Sequence, residues 1–141
     1  MKAADLTEIL VIEDDLDIRV ALAEILTDAG YEPATAANGQ DALAYLDNGG
    51  TPSLIVLDLM MPVMDGWTFR RELLRRPGGD RVPIIVFSGF GSPSVSRMEG
   101  RVRYLAKPIK METLLSMIAG ELSCPQDRSQ GSQLQKADSR L

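Results

Sequence analysis

The stretch Leu54-Ile55-Val56-Leu57-Asp58-Leu59-Met60-Met61-Pro62 decides how this chain folds. Four apolar residues run unbroken from Leu54 to Leu57, as in a strand buried on both faces, and then a carboxylate appears. Asp has poor strand propensity, and an unpaired buried charge is expensive. Asp58 therefore belongs at the carboxyl end of its strand, where the chain leaves the sheet. In an open parallel α/β sheet that edge is where ligands bind. Met61-Pro62 stops the strand, because the residue before proline is held extended and proline donates no ladder hydrogen bond. Asp65-Gly66 then turns the chain into a helix.

The pattern repeats on either side of this stretch. Glu8 to Ile12 reads as a buried strand that runs into Glu13-Asp14-Asp15. Ile18, Ala21, Leu22, Ile25, Leu26 and Ala29 follow at helical spacing, and Gly30 closes that helix. Glu32 to Ala36 is a short second strand. Asn38-Gly39 leads into a helix over Gln40 to Leu46, stopped by Asn48-Gly49-Gly50. Beyond Asp58, a helix is expected from about Gly66 to Arg76, with Trp67, Phe69 (or Arg70 by its stem), Leu73 and Leu74 as inward candidates. Val82 to Phe87 is the fourth strand, with Ser88 at its end. A Gly- and Ser-rich passage leads to a fifth, Val102 to Leu105. Lys107-Pro108 and a helix from about Lys110 to Leu122 complete the pattern. Residues 123–141 are polar and are expected to form a disordered tail after a domain over residues 1–122. Alternating strands and helices mean an α/β fold, a doubly wound parallel sheet covered on both faces. Right-handed crossovers leave two plausible strand orders.

Composition narrows the function. A chain of 141 residues with 45% hydrophobic and 25% charged content is an ordinary globular domain. Its net charge of −5 argues against a nucleic acid partner, which needs a basic face. No apolar run is long enough to span a membrane, and Met1-Lys2-Ala3-Ala4-Asp5 does not read as a signal peptide. The single Cys124 cannot form an internal disulfide. A cytoplasmic protein is the expectation. Histidine is absent, so this chain has neither a histidine base nor a phosphohistidine of its own.

In a parallel sheet all carboxyl ends gather on one edge. The first strand delivers Glu13 and Asp14 there, the third Asp58, the fourth Ser88 and the fifth Lys107. Taken singly, each has a structural role open to it. The three acids can cap the first helix, Ser88 can brace a turn, and Lys107 can be a solvated surface lysine. Taken together, three clustered carboxylates repel one another unless a cation is present. Hard oxygen donors with open water positions suit Mg²⁺. Carboxylates are also competent nucleophiles toward phosphorus, in reactions where positioning and charge neutralisation do most of the catalysis.

These residues carry a resemblance. Over roughly Glu8 to Leu122 the chain resembles a response regulator receiver domain of two-component signalling. The motifs are Glu13-Asp14, the segment Leu57-Asp58-Leu59-Met60-Met61-Pro62-Val63-Met64-Asp65-Gly66, Ser88 with small Gly89, and Tyr104-Leu105-Ala106-Lys107-Pro108. The step of thirty residues from Asp58 to Ser88 is usual for the family. Arg19, six places after Glu13, sets the register of the acidic pair and leaves Asp15 to helix capping.

The resemblance implies a flavodoxin-like sheet of order 2-1-3-4-5 and an aspartyl phosphate at Asp58. It implies Mg²⁺ or Mn²⁺ held by Asp14, Asp58 and the Met60 carbonyl, with Glu13 acting through water. It assigns Lys107 and Ser88 to the phosphoryl group, a cis bond before Pro108, and a switch at Tyr104 coupled to Ser88. A histidine kinase or histidine phosphotransfer protein is the implied donor, and the implied output is contact with a downstream protein, as a monomer or a phosphorylation-dependent dimer. Only nineteen residues follow Leu122, so no output module is expected in this chain.

Other readings fit less well. An Asp-nucleophile phosphohydrolase would place a second Asp two residues after the first, where this chain has Met60. A nucleotide-binding domain would need a Gly-rich turn where the three acids stand. A receiver used as an unphosphorylated docking module stays open on sequence alone. Two features set this chain apart from its family. Met60 and Phe90, which flank the phosphoryl group in the family pattern, are bulky and apolar, which implies slow self-dephosphorylation. The nineteen residues from Ser88 to Lys107 are about three fewer than usual, so a shortened fourth helix of about seven residues, Pro93 to Glu99, is expected.

Overall fold

The computed structural model describes residues 6–59, 64–88 and 102–123. The elements are β1 (Glu8–Ile12), α1 (Leu16–Asp28), β2 (Glu32–Ala36), α2 (Gly39–Asp47), β3 (Leu54–Asp58), α3 (Gly66–Leu74), a 3-10 turn (Gly79–Arg81), β4 (Ile84–Ser88), β5 (Val102–Ala106) and α4 (Met111–Ser123). All strand pairs are parallel, and the order is β2-β1-β3-β4-β5. The doubly wound sheet and its implied order are therefore present.

β3 is the central strand, and every one of its residues is buried. Side chains alternate between faces along each strand, so the sheet carries two cores. Leu10, Ile12, Ile55, Leu57, Ile84 and Val86 meet Ala42, Leu43, Phe69 and Leu73 of α2 and α3 on one face. Ile9, Val11, Leu54, Val56, Ile85 and Phe87 meet Leu22 and Leu26 of α1 and Leu114 and Ile118 of α4 on the other.

The starts of α1, α2 and α3 follow short polar side chains. The Asp15 carboxylate accepts from Ile18 N at 3.2 Å, Asn38 from Asp41 N at 2.8 Å and Asp65 from Thr68 N at 2.8 Å. Each satisfies a backbone donor that lacks an intrahelical partner. Asp15 is thus a cap, as its place after the acidic pair suggests.

Some boundaries differ from the sequence reading. α3 ends at Leu74 rather than Arg76, with Arg75 as its C-cap. Its inward residues are Phe69, Arg70 and Leu73, while Trp67 packs only partly against the core. Leu74 is only half-buried, so its place as an inward residue is not kept. The chain must then reverse within a few residues, using Gly78 at φ 76° and the 3-10 turn. A Cβ on Gly79 would lie 1.9 Å from the Leu73 carbonyl oxygen, so this close return needs glycine. β4 starts at Ile84 rather than Val82, because the turn extends to Arg81 and Pro83 has no N–H. The Pro83 carbonyl still accepts from Ile55 N at 3.0 Å. β5 runs one residue further than read, to Ala106. The expected short helix at 93–99 and the tail at 124–141 lie outside the described residues.

Candidate functional site

Alternation along the strands builds the site. Val11, Val56, Ile85 and Leu105 all contribute to the core on the α1/α4 side. Two residues further along each strand direction come Glu13, Asp58, Phe87 and Lys107, directed to that same side at the carboxyl edge. A main-chain bond from Glu13 N to Ala36 O, 3.1 Å, continues the β1–β2 ladder by one residue and fixes where Glu13 emerges. Arg19 Nη1 donates to the Glu13 carbonyl at 2.8 Å, so the basic residue six places on holds the acidic turn by its backbone.

Glu13, Asp14 and Asp58 each bring a carboxylate oxygen within 4.8 Å of the others. Glu13 and Asp58 are buried, at 1% and 3% exposure, while Asp14 faces solvent. Lys107 Nζ stands 3.7 Å from Asp58 Oδ1. The Lys107–Pro108 peptide is cis, as the resemblance implies.

Glu13 Oε2 accepts from Asp15 N at 2.9 Å, but its buried Oε1 has no hydrogen-bond partner among the described residues. The Glu13 carboxyl is pushed up to about 7. Burial is the main cause. The Asp15 N–H works against it, the Asp58 and Asp14 carboxylates add to it, and Lys107 again opposes it. A buried carboxylate oxygen without a donor, beside two further carboxylates, is the environment a hard divalent cation satisfies. The donor set therefore fits Mg²⁺ or Mn²⁺.

The remaining sequence candidates stand as follows. Tyr104 is half-buried in β5 and packs on the α2/α3 side, the face opposite Lys107. Ser88 ends β4 opposite Ala106, and its side chain lies outside the described residues. Met60 and Phe90 also lie outside them. Phe87 was not read as part of the site. Its ring centroid lies 5.3 Å from Lys107 Nζ, and its backbone is the register partner of Asp58. The signal was available in the sequence: Phe87 immediately precedes Ser88 and shares the parity of the buried Ile85.

The chain matches the model of the response regulator receiver domain over residues 9–119. It belongs to that family. All of Glu13, Asp14, Asp58, Ser88, Tyr104 and Lys107 fall within the match. A response regulator named MprA from Mycobacterium sp. (strain KMS) is 39% identical over 111 residues, covering 77% of this chain and 47% of that protein. The transcriptional regulatory protein AfsQ1 of Streptomyces coelicolor is 38% identical over 117 residues, covering 81% of this chain and 50% of that protein. The chain thus spans about half the length of the curated relatives it matches. Among solved structures, the chemotaxis protein CheY4 of Vibrio cholerae superposes with a TM-score of 0.77 at 30% identity, covering 83% of this chain and 99% of that one. This receiver domain has, among its described residues, no helix long and apolar enough to cross a membrane.

Proposed function

We propose that this receiver domain is a phosphorylation-controlled signalling module in which Asp58 is the phosphoacceptor. A histidine kinase or histidine phosphotransfer protein supplies the phosphoryl group. One Asp58 carboxylate oxygen forms the bond to phosphorus as the bond from phosphorus to the donor imidazole nitrogen breaks, and the imidazole leaves with the electron pair. The observation that carries this reading is the pairing of a buried strand-end carboxylate with an ammonium 3.7 Å away. Lys107 stands where it can move from the carboxylate to the incoming phosphoryl oxygens, which gather charge in the transition state.

Glu13, Asp14 and Asp58 would hold a divalent cation, and the Met60 carbonyl is proposed as a further ligand from the family pattern. When bound, the cation neutralises the charge that carboxylates and phosphoryl oxygens bring together. Ser88 donates to a phosphoryl oxygen and couples to Tyr104, and the signal leaves by contact with a downstream protein. We assign any DNA contact of the transcriptional regulators to the half of their length that this chain does not cover.

Incubation with a small phosphodonor and Mg²⁺, followed by intact mass, tests the proposal. The wild-type chain gains one phosphoryl group and the near-isosteric Asp58→Asn gains none, while both give the same circular dichroism. Labelling of Asp58→Asn at the wild-type level, or a wild type that takes no label, overturns the assignment.

A further inference from the structure

The geometry points to Phe87 as a positioning residue for phosphoryl transfer, holding the Lys107 ammonium over its ring face and aimed at Asp58. This inference rests on the phosphoacceptor reading above and adds a residue to it. Lys107 extends from the end of a strand, one residue past β5, and its side chain is about a third exposed, at 31%. A lysine side chain of that kind has four rotatable bonds and strong hydration, so an ion pair at 3.7 Å fixes it poorly.

The Phe87 ring supplies a second, rigid contact. Its centroid is 5.3 Å from Nζ, within the range where the negative face of the ring attracts a cation. The ring is fully buried and is itself immobilised by the core on the α1/α4 side. Its main chain is tied to the phosphoacceptor strand, since the Phe87 carbonyl accepts from Leu59 N at 3.1 Å and Phe87 pairs in register with Asp58. The three groups therefore stand at the carboxyl ends of three adjacent strands, β3, β4 and β5, with Lys107 one residue past the last. Ring and carboxylate both contact the ammonium.

An aliphatic residue at position 87 would keep the core apolar but offer no directed attraction. The aromatic ring keeps Lys107 poised without a hydrogen bond that must break when the ammonium moves to the phosphoryl oxygens. Pre-placed charge of this kind acts on the rate of transfer.

Site-specific replacement of Phe87 by mono-, di- and trifluorophenylalanine stepwise weakens the negative potential of the ring face while nearly keeping its shape. The initial rate of Asp58 labelling by a small phosphodonor with Mg²⁺ should fall stepwise with fluorine number, by about three- to ten-fold overall. Phe87→Leu should lose as much. A contact readout free of phosphorylation accompanies this: the Lys107 ε-methylene protons of the wild type should be shifted upfield by the ring and return to ordinary values in Phe87→Leu. A labelled wild type with a flat fluorine series, or unshifted Lys107 protons in the wild type, overturns the role of Phe87 alone. A wild type that takes no label overturns the phosphoacceptor reading itself.

Discussion

Carboxylates collect at both ends of this sheet, and the two ends treat them differently. At the amino end, Glu8 and Glu32 open β1 and β2 and sit in register with each other. Glu8 receives a hydrogen bond from the Tyr45 hydroxyl of α2. At the carboxyl end, Glu13, Asp14 and Asp58 converge, and a buried oxygen of Glu13 has no donor among the described residues. At the amino end a neutral donor, the Tyr45 hydroxyl, serves the Glu8 carboxylate. The Glu13 oxygen that lacks such a donor stands where a cation would bind. The contrast separates the two ends by the physical state of their carboxylates, which residue type alone does not give.

The largest expected effect follows from removing the Lys107 ammonium beside Asp58. Lys107→Ala should slow Asp58 labelling by two to three orders of magnitude, because a directed charge on transition-state oxygens is worth that much in a site of this kind. The fold should persist, because the side chain is part-exposed and its loss leaves no cavity in either core. Stopped-time labelling followed by intact mass measures the rate. A loss below about three-fold would place the catalytic charge elsewhere.

Glu13 gives the next effect, in stability. Its carboxyl is pushed up to about 7 from the ordinary 4.5, mainly by burial. Between those values the folded state binds more protons than the unfolded one, so stability falls as pH rises through the window. The metal-free wild type should lose about 2 to 3 kcal/mol relative to Glu13→Gln between pH 4.5 and 7.5. Mg²⁺ should restore the wild type, since an ion that binds only the folded state stabilises it. Urea unfolding in chelator at each pH, for both chains, reads the difference. If the gap between them does not widen with pH, the burden on Glu13 is absent.

Much of this was legible in the sequence because each strand ends in a change of chemistry. Ile12 to Glu13, Leu57 to Asp58 and Ala106 to Lys107 are abrupt steps from apolar to charged, and a parallel sheet gathers such steps on one edge. The α3 boundary was not legible. Arg75 and Arg76 have good helix propensity, but the close return at Gly79 ends the helix before them. Leu74, apolar and at helical spacing, lies where that helix is ending. The Glu8–Tyr45 pair escaped because its partners lie thirty-seven residues apart and no spacing rule joins a strand start to a helix interior. Phe87 escaped for a different reason: a buried aromatic in an apolar strand reads as core, and its second role comes from Lys107, two residues past its register partner Leu105 on the adjacent strand.

The smallest effect belongs to the amino end and tests whether that end is purely structural. Burial, then the hydrogen bond to Glu8, pushes the Tyr45 hydroxyl up to about 12 from the ordinary 10.0. Tyr45→Phe removes the hydroxyl and leaves the ring in place, so it should cost about 1 kcal/mol at pH 7, the usual net worth of such a bond. The sign with pH is definite. The folded chain keeps the tyrosine proton above the pH at which the unfolded chain loses it, so the wild type should lose stability as pH rises from about 10 through 12. Tyr45→Phe should lack that slope, and the two chains should converge there. Asp58 labelling should be unchanged in the variant, since the pair lies at the opposite end of the sheet from the acidic cluster. A Tyr45→Phe chain that unfolds like the wild type but labels more slowly would show that the two ends communicate, and the division between a structural and a functional end would fail.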